Sequence, residues 1–373
     1  MILNKKILSI YFFLFFNCLI YAQEEKETQK DSVKIENLEE VIVSATRTIR
    51  QLSSVPLPAQ IVTKKEISAI NSLRLNDILI EQTGLTIVNF LGKGIQMQGM
   101  DSDYTLILID GVPLVGRTGG TLDLSRITVG NIKQIEIVKG ASSSLYGSEA
   151  MAGVVNIITE TPKEGFKGNL NLRYATHNTA DASASINYKK KKLGITAFAN
   201  RFGSNGYDLD TKTFGNTVDP YHNYTFNTKI NYELSENTKL FLSGRYFLEN
   251  QEYIPTEALK GEGNVNEWNA NAKLHHKYSK KWSSYFDIYA SRYKTDSYLN
   301  KILDGSRFDE SDYNQLLLRP EIRATYNPSK KHSFIGGLGW THETLDRTNF
   351  SNKPEFNAPY IYIHNTMLIL QKN

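Results

Sequence analysis

The feature that most constrains the fold is a hydrophobic alternation with a period of two, which recurs from Phe166 to about residue 350. Leu170, Leu172 and Tyr174, for example, alternate with polar residues. Successive side chains of a strand point to opposite faces, so each such segment predicts a strand with one apolar and one polar face. Soluble sandwiches and solenoids show the same period. Segments of about ten residues are typical of transmembrane β-barrels with a polar lumen.

The first 22 residues favour the membrane alternative. Lys5 and Lys6 precede an apolar run that extends to Tyr21, and Ala22 then offers a small residue for cleavage before Gln23. This is the layout of a secretory signal peptide, which we predict to be residues 1–22. The apolar run is shorter than the ~20 residues that a helix needs to span a bilayer. An exported chain with strand-like alternation is expected in the outer membrane.

Composition excludes several classes of function. The formal net charge of +4, which falls further once the signal peptide is cleaved, is too small to indicate a nucleic-acid partner. The single cysteine, Cys18, lies within the predicted signal peptide, so a mature chain has neither disulfides nor thiolate metal sites. The 21 tyrosines and 17 phenylalanines suit strands in general, and they also suit the aromatic girdles of membrane barrels.

The chain before the alternation divides into two parts. Residues 23–49 are mostly polar with mixed charge, and we expect a mobile periplasmic segment that contains one short β-favouring patch. Residues 50–161 predict a compact α+β domain. Its strands are expected at residues 59–63, 105–109, 131–138 and 154–158, and its helix at residues 73–81. Asp110-Gly111 is a tight-turn signal directly after the second of these strands.

The turns between the later strands alternate in length. Residues 188–193 and 235–238 form short turns, whereas residues 203–222 and 250–266 are expected to be longer loops. Outer-membrane barrels have short periplasmic turns and longer external loops. The alternation therefore predicts which end of each strand faces the periplasm.

Motifs for catalysis and metal binding are poor matches. In the serine run after Gly140, Ser144 stands where the second glycine of a nucleophile elbow belongs. Residues 101–103 begin like a calcium loop, but Leu106 occupies the position that requires glycine. His275 and His276 would point to opposite sides of a strand, so they cannot chelate from one face. We expect no enzyme activity, no metal site and no cofactor.

Four segments together resemble the plug of TonB-dependent outer-membrane receptors. Residues 38–47 resemble the energy-coupling segment of that family, the TonB box, which assigns coupling to Glu40, Val41, Ile42, Val43 and Ser44. Residues 105–113, 131–140 and 141–159 are similar to successive strands and turns of the plug. These segments contain the plug-motif residues Asp110, Gly111, Lys139, Gly140, Tyr146, Gly147, Gly153 and Asn156.

The resemblance implies a receptor for energy-coupled uptake of a scarce small ligand. Its partners would be the periplasmic protein TonB, the outer-membrane lipid and a small molecule. A ferric siderophore is the first expectation, and haem or cobalamin the second. A wide barrel leaves an aqueous hole, which explains why such a receptor needs a plug. The alternative is a truncated product that displays a plug and some strands but transports nothing.

The length of the alternating region bears on this alternative. The family closes 22 strands, and a strand with its share of loop takes roughly 20 residues. Residues 166–350 then supply about eight to ten strands, so we expect an incomplete barrel beside the plug that does not work alone as a channel. Residues 351–373 are expected to be an atypical tail, because the alternation weakens from Asn357 and the chain ends without a terminal aromatic.

Overall fold

The computed structural model describes residues 41–42, 50–51, 58–89, 92–140, 147–210, 212, 215–329 and 332–367. The predicted signal peptide and the polar segment up to Glu40 lie outside the described residues. Neither of the two described α-helices is long and apolar enough to cross a membrane.

Short strands and two helices form the N-terminal domain, here residues 58–164. The strands up to this point in the chain are β1 (Val41–Ile42), β2 (Arg50–Gln51), β3 (Ala59–Thr63), β4 (Leu85–Asn89), β5 (Lys93–Met97), β6 (Thr105–Ile109), β7 (Val112–Pro113), β8 (Arg117–Thr118), β9 (Thr121–Leu122), β10 (Ile132–Lys139) and β11 (Gly153–Thr159). The helices are α1 (Lys64–Ile70) and α2 (Leu75–Leu79). Within the described residues, turns of 3-10 helix lie at Ser102–Tyr104, Leu124–Arg126 and Ser148–Ala150.

The core of this domain is a five-stranded sheet in the order β3-β10-β11-β6-β7. β11 pairs in parallel with β6 and antiparallel with β10, which places it at the centre of the sheet. β11 is buried on both faces, which explains why it is apolar almost throughout, as are β6 and the end of β10. Ile135, Ile137 and Val155 are fully buried in a core that also includes Leu75, Ile78 and Leu79 of α2.

The helices differ from the sequence prediction. α2 is shorter than the predicted residues 73–81, because the backbone before it is already paired: Leu75 N donates to Ile127 O at 3.0 Å, and Arg74 is extended. α1 was not predicted. It begins with a capping box in which Thr63 and Glu66 satisfy each other's backbone N–H groups, and it ends at Asn71 in a left-handed conformation.

Ten long strands follow the N-terminal domain and form one antiparallel sheet in sequence order. They are β12 (Gly165–Ala175), β13 (Thr179–Lys190), β14 (Leu193–Ser204), β15 (Tyr221–Glu233), β16 (Thr238–Thr256), β17 (Leu259–Lys277), β18 (Trp282–Lys301), β19 (Arg307–Ser329), β20 (His332–Arg347) and β21 (Glu355–Met367). Among the described residues, β12 and β21 are edges that do not pair with each other. The predicted α+β domain followed by an incomplete antiparallel barrel is confirmed.

The two faces of the ten-stranded sheet differ in polarity. The inner face, which contacts the N-terminal domain, carries buried polar residues such as Asn223, Arg245 and Glu267. The outer face carries exposed apolar residues from every part of the sheet, among them Leu170, Ile186, Phe226, Phe286, Ile322, Leu338 and Ile361. This arrangement is the one that the period-two alternation predicts.

Two boundaries of the sheet differ from the prediction. Residues 250–266 were expected to form a loop, but β16 and β17 continue to Thr256 and from Leu259. Residues 351–373 were expected to be a tail, but β21 pairs with β20 from Glu355 to Met367. The alternation continues within β21, since Ile361 and Ile363 are exposed while the hydroxyl groups of Tyr360 and Tyr362 donate to Glu321.

Candidate functional site

A buried cluster of charges joins the N-terminal domain to the inner face of the sheet. Glu267 of β17 is fully buried, and its two carboxylate oxygens accept hydrogen bonds from two arginines. Arg126 of the N-terminal domain contacts Oε2 at 2.8 Å, and Arg245 of β16 contacts Oε1 at 2.6 Å. Arg245 also donates to the backbone oxygen of Arg126 at 2.8 Å. We call these three residues the Glu267 cluster.

Arg126 is held by more than the carboxylate. Its Nε donates to the backbone oxygen of Asp123, and its Nη2 donates to the backbone oxygens of Val115 and Gly116. Its guanidinium lies 4.5 Å from the ring centroid of Tyr293 in β18. Burial by itself lowers the pKa of Arg126, but the carboxylate of Glu267 raises it above its ordinary value, so the side chain stays charged.

A second arginine of the N-terminal domain contacts the ten-stranded sheet closer to its β12 edge. Arg74 donates to Asn223 Oδ1 at 3.0 Å, and its guanidinium lies 4.2 Å from the ring centroid of Phe202. Asn223 in turn donates to Glu249. Burial lowers the pKa of Arg74, and nearby carboxylates such as Asp181 oppose this shift. Its Nη1 atom has no hydrogen-bond partner among the described residues.

Three of the predicted plug-motif residues come together at the turn between β6 and β7. Asp110 and Gly111 both have positive φ angles, 53° and 83°, as a tight hairpin turn requires. Asn156 Oδ1 accepts a hydrogen bond from Gly111 N at 3.0 Å, and Asp110 accepts two from Thr159. Asp110 also forms a salt bridge of 2.8 Å with Lys229 of β15. The turn is thereby attached to the sheet.

The other plug-motif residues lie elsewhere in the domain. Lys139 donates to the backbone oxygen of Thr83 at 2.6 Å. Gly140 and Gly147 adopt positive φ angles with open space around them, whereas a Cβ on Gly153 would lie 2.3 Å from the backbone oxygen of Val138. Tyr146 lies outside the described residues.

The predicted coupling segment is described only in part. Val41 and Ile42 form β1, which pairs antiparallel with Gln51 and Arg50 of β2. Glu40, Val43 and Ser44 lie outside the described residues. The backbone of Val41 and Ile42 is thus extended and engaged in sheet hydrogen bonds.

A cavity of about 1100 Å³ lies between the N-terminal domain and the inner face of the sheet. Its lining combines apolar side chains with charges of both signs, for example Asp110, Glu160, Arg173, Asp181 and Lys229. No group of three or more histidine, cysteine, aspartate or glutamate side chains among the described residues could hold a metal ion. The charged side chains of the lining suit the binding of polar groups.

The close contact at Gly116 provides a test of the interface. A Cβ on Gly116 would lie 2.3 Å from the ring of Tyr293, whereas Gly111 has nothing within 4 Å, and both have positive φ. We expect Gly116→Ala to lower the free energy of unfolding by about 3 kcal/mol and Gly111→Ala by about 1 kcal/mol. Urea unfolding in detergent measures both. Equal losses would contradict the packing of Tyr293 on Gly116.

Part of the chain matches a known family. Residues 51–154 match the TonB-dependent Receptor Plug Domain family. A vitamin B12 transporter, BtuB of Vibrio cholerae serotype O1, is 24% identical over 322 residues, which cover 83% of this chain and 52% of the transporter. The chain therefore spans about half the length of this curated relative.

Solved receptors share the fold. The ferric enterobactin receptor PfeA of Pseudomonas aeruginosa superposes with a TM-score of 0.66 at 15% identity, covering 84% of this chain and 56% of the receptor. The siderophore receptor PirA of the same organism superposes with a TM-score of 0.61 at 18% identity, covering 83% of this chain and 53% of the receptor. The alcaligin receptor FauA of Bordetella pertussis superposes with a TM-score of 0.62 at 12% identity, covering 87% of this chain and 62% of the receptor. Residues 51–154 thus match the plug domain of TonB-dependent receptors, and the fold of most of the chain is similar to that of these solved receptors.

Proposed function

We propose that this chain belongs to a receptor that takes up a scarce small ligand across the outer membrane with energy supplied through TonB. The observation that carries the proposal is the Glu267 cluster. It anchors the plug domain to the polar inner face of a sheet whose outer face is apolar and exposed. A plug domain held in this way blocks the lumen, so energy has to be supplied to move the plug domain before a ligand can pass.

The coupling segment supplies the route for that work. We assign it to Glu40, Val41, Ile42, Val43 and Ser44, where an extended partner strand from TonB can add to the backbone. Support comes from β1, since Val41 and Ile42 already adopt the extended conformation that strand addition needs. The polar residues before them would give the coupling segment the freedom to reach TonB.

For the ligand we favour a ferric siderophore, with haem or cobalamin as the second class. Solved structures of similar fold are described as a ferric enterobactin receptor, a siderophore receptor and an alcaligin receptor, and the curated relative is described as a vitamin B12 transporter. At identities this low, the comparisons support the fold, and the ligand class is our proposal.

The test is uptake by the complete receptor in a receptor-null strain, with and without TonB. Labelled ferric catecholate, ferric hydroxamate, haem and cyanocobalamin are offered separately. We expect accumulation of one ferric siderophore only in cells that have TonB. Uptake of haem or cobalamin alone would replace the ligand class, and uptake that does not require TonB would contradict the proposed mechanism.

The compartment gives a separate prediction. We expect a mature protein that begins at Gln23 and fractionates with outer membranes, because residues 1–22 have the layout of a cleaved signal peptide. Mass spectrometry of the fractionated protein measures both properties. Retention of the first 22 residues, or recovery from the cytoplasm, would count against the export that the proposed function requires.

A further inference from the structure

Lysines are concentrated at the end of the sheet where the turns are short. Four consecutive lysines at residues 189–192 end β13 and form its turn to β14. Lys277 ends β17, and Lys280 and Lys281 lie in the turn to β18. We call these seven residues the lysine rim. The sequence adds Lys330 and Lys331 between β19 and β20, outside the described residues.

The rim lysines are available for a partner. Lys190, Lys191, Lys192, Lys277, Lys280 and Lys281 are all exposed. Within the described part of the chain, none of the seven rim side chains forms an ion pair, whereas Lys239 at the neighbouring turn is paired with Glu233 at 3.0 Å. These lysines outnumber Glu233 and Glu236 of the neighbouring turn, and an excess of positive charge of this kind attracts a surface of opposite charge.

The opposite end of the same sheet has the opposite sign. Around the hairpin of β16 and β17, residues 249–262 contain four acidic side chains and one lysine. Around the hairpin of β18 and β19, residues 294–312 contain five acidic and three basic side chains. The sheet therefore has an electrical polarity along its strands, and the lysine rim is not a consequence of an evenly basic chain.

The rim lies at a definite depth relative to the apolar outer face. On β18 the outer face runs from Trp282 through Phe286 and Ile288 to Arg292, ten residues later. At about 3.4 Å per residue and a tilt of about 40°, this stretch spans about 25 Å, the height of the apolar band of an outer-membrane barrel. The rings of Trp282 and Tyr326 stack with centroids 4.3 Å apart, and they mark the edge of that band at the short-turn end. Lys280 and Lys281 come directly beyond it.

We propose that the lysine rim binds the anionic headgroups of phospholipids in the membrane leaflet at the short-turn end. This inference rests on the proposed membrane location of the sheet. Lysine ammonium groups just beyond the stacked pair of Trp282 and Tyr326 lie at the level of lipid phosphates, and their flexible stems let each reach a separate headgroup. The acidic far end would be repelled by the same lipids, so the contact also fixes the orientation of the sheet.

The experiment measures lipid selectivity of the full chain reconstituted in phosphatidylcholine bilayers. Spin-labelled phosphatidylglycerol and spin-labelled phosphatidylcholine report how strongly each lipid associates with the protein surface. The test variant carries Lys190→Gln, Lys191→Gln, Lys280→Gln and Lys281→Gln. The matched control carries Lys260→Gln, Lys294→Gln, Lys301→Gln and Lys353→Gln, which changes net charge equally at the acidic end. Circular dichroism checks that both variants keep the sheet.

We expect the unsubstituted chain to prefer phosphatidylglycerol about fivefold, with the preference weakened by salt. The rim variant should lose this preference, and the control variant should keep it. An unchanged preference in the rim variant, or an equal loss in both variants, would overturn the proposal while leaving the membrane location intact. If neither labelled lipid is immobilised by the protein, the membrane location fails, and the proposal fails with it.

Discussion

Glu267→Ala is expected to lower the free energy of unfolding by about 3–5 kcal/mol. The substitution leaves Arg126 and Arg245 charged and almost completely buried, with side chains only 2% and 4% exposed and no carboxylate between them. Removing one partner of a buried pair costs more than the pair contributes, because the remaining charges have lost their hydration without compensation. Chemical unfolding in detergent, followed by tryptophan fluorescence and circular dichroism, measures the loss.

An exposed ion pair in the same hairpin is the matched control. Glu252 and Lys260 form a salt bridge of 2.8 Å with both side chains substantially exposed, so Glu252→Ala should cost less than about 1 kcal/mol. A triple variant with Arg126→Met, Arg245→Met and Glu267→Leu should recover much of the stability, since it removes every buried charge together. If Glu267→Ala costs no more than Glu252→Ala, the cluster does not anchor the plug domain.

Much of the plug domain could be predicted because its strands are short and strongly apolar. The strand bounds of β3 and β6 agree with the predicted residues 59–63 and 105–109. α1 was missed because it buries only Ile67, which leaves no helical stripe to detect. Its signal was instead the pair Thr63 and Glu66, three residues apart, which is the spacing of a capping box.

The strands of the sheet extend further than the alternation that predicts them. Alternation arises where one face meets an apolar environment, and β16 and β17 continue beyond that level. There both faces carry polar side chains, Asn250 and Asn264 on the outer face and Gln251 on the inner face, while the backbone ladder continues. Hydrogen bonding between strands leaves no mark in composition, so residues 250–266 resembled a loop.

The candidate site divides in the same way between local and distant contacts. Asp110, Gly111 and Asn156 could be selected from sequence because each lies in or beside a recognisable strand and turn. The Glu267 cluster could not, because Arg126 and Glu267 are 141 residues apart and nothing local pairs them. The sequence indicated only that one face of each strand is polar, which is compatible with charged residues at positions such as 245 and 267.

The Glu267 cluster and the proposed coupling segment would act on the plug domain in opposite ways. The Glu267 cluster and the Asp110–Lys229 salt bridge hold it against the sheet through side chains that are charged and well paired. Force applied at Val41 and Ile42 enters the chain before β3, the edge strand of the five-stranded sheet. Force at an edge strand can separate backbone pairs in succession, which takes less work than breaking the buried cluster at once.

Ile42→Pro is expected to abolish energised uptake by the complete receptor while ligand binding is retained. Strand addition depends on backbone hydrogen bonds, and proline removes the donor at this position. A loss of about 3 kcal/mol in pairing with TonB corresponds to a roughly hundredfold loss of affinity. Among the described strands, β1 pairs with β2 alone and belongs neither to the five-stranded nor to the ten-stranded sheet, so we expect ligand binding to be unaffected. Uptake and equilibrium binding are measured on the same cells.

Two controls separate the backbone from the side chain and from the mere presence of proline. Ile42→Thr keeps the N–H group and a β-branched side chain, so uptake should remain within a few-fold of the unsubstituted receptor. Lys30→Pro places the same residue in the polar segment before the coupling site, where no strand pairing is predicted, and should leave uptake unchanged. Normal uptake by Ile42→Pro would contradict the assignment of Val41 to Val43 as the coupling strand. Equal loss in Ile42→Thr would show that side-chain recognition, rather than backbone pairing, carries the force.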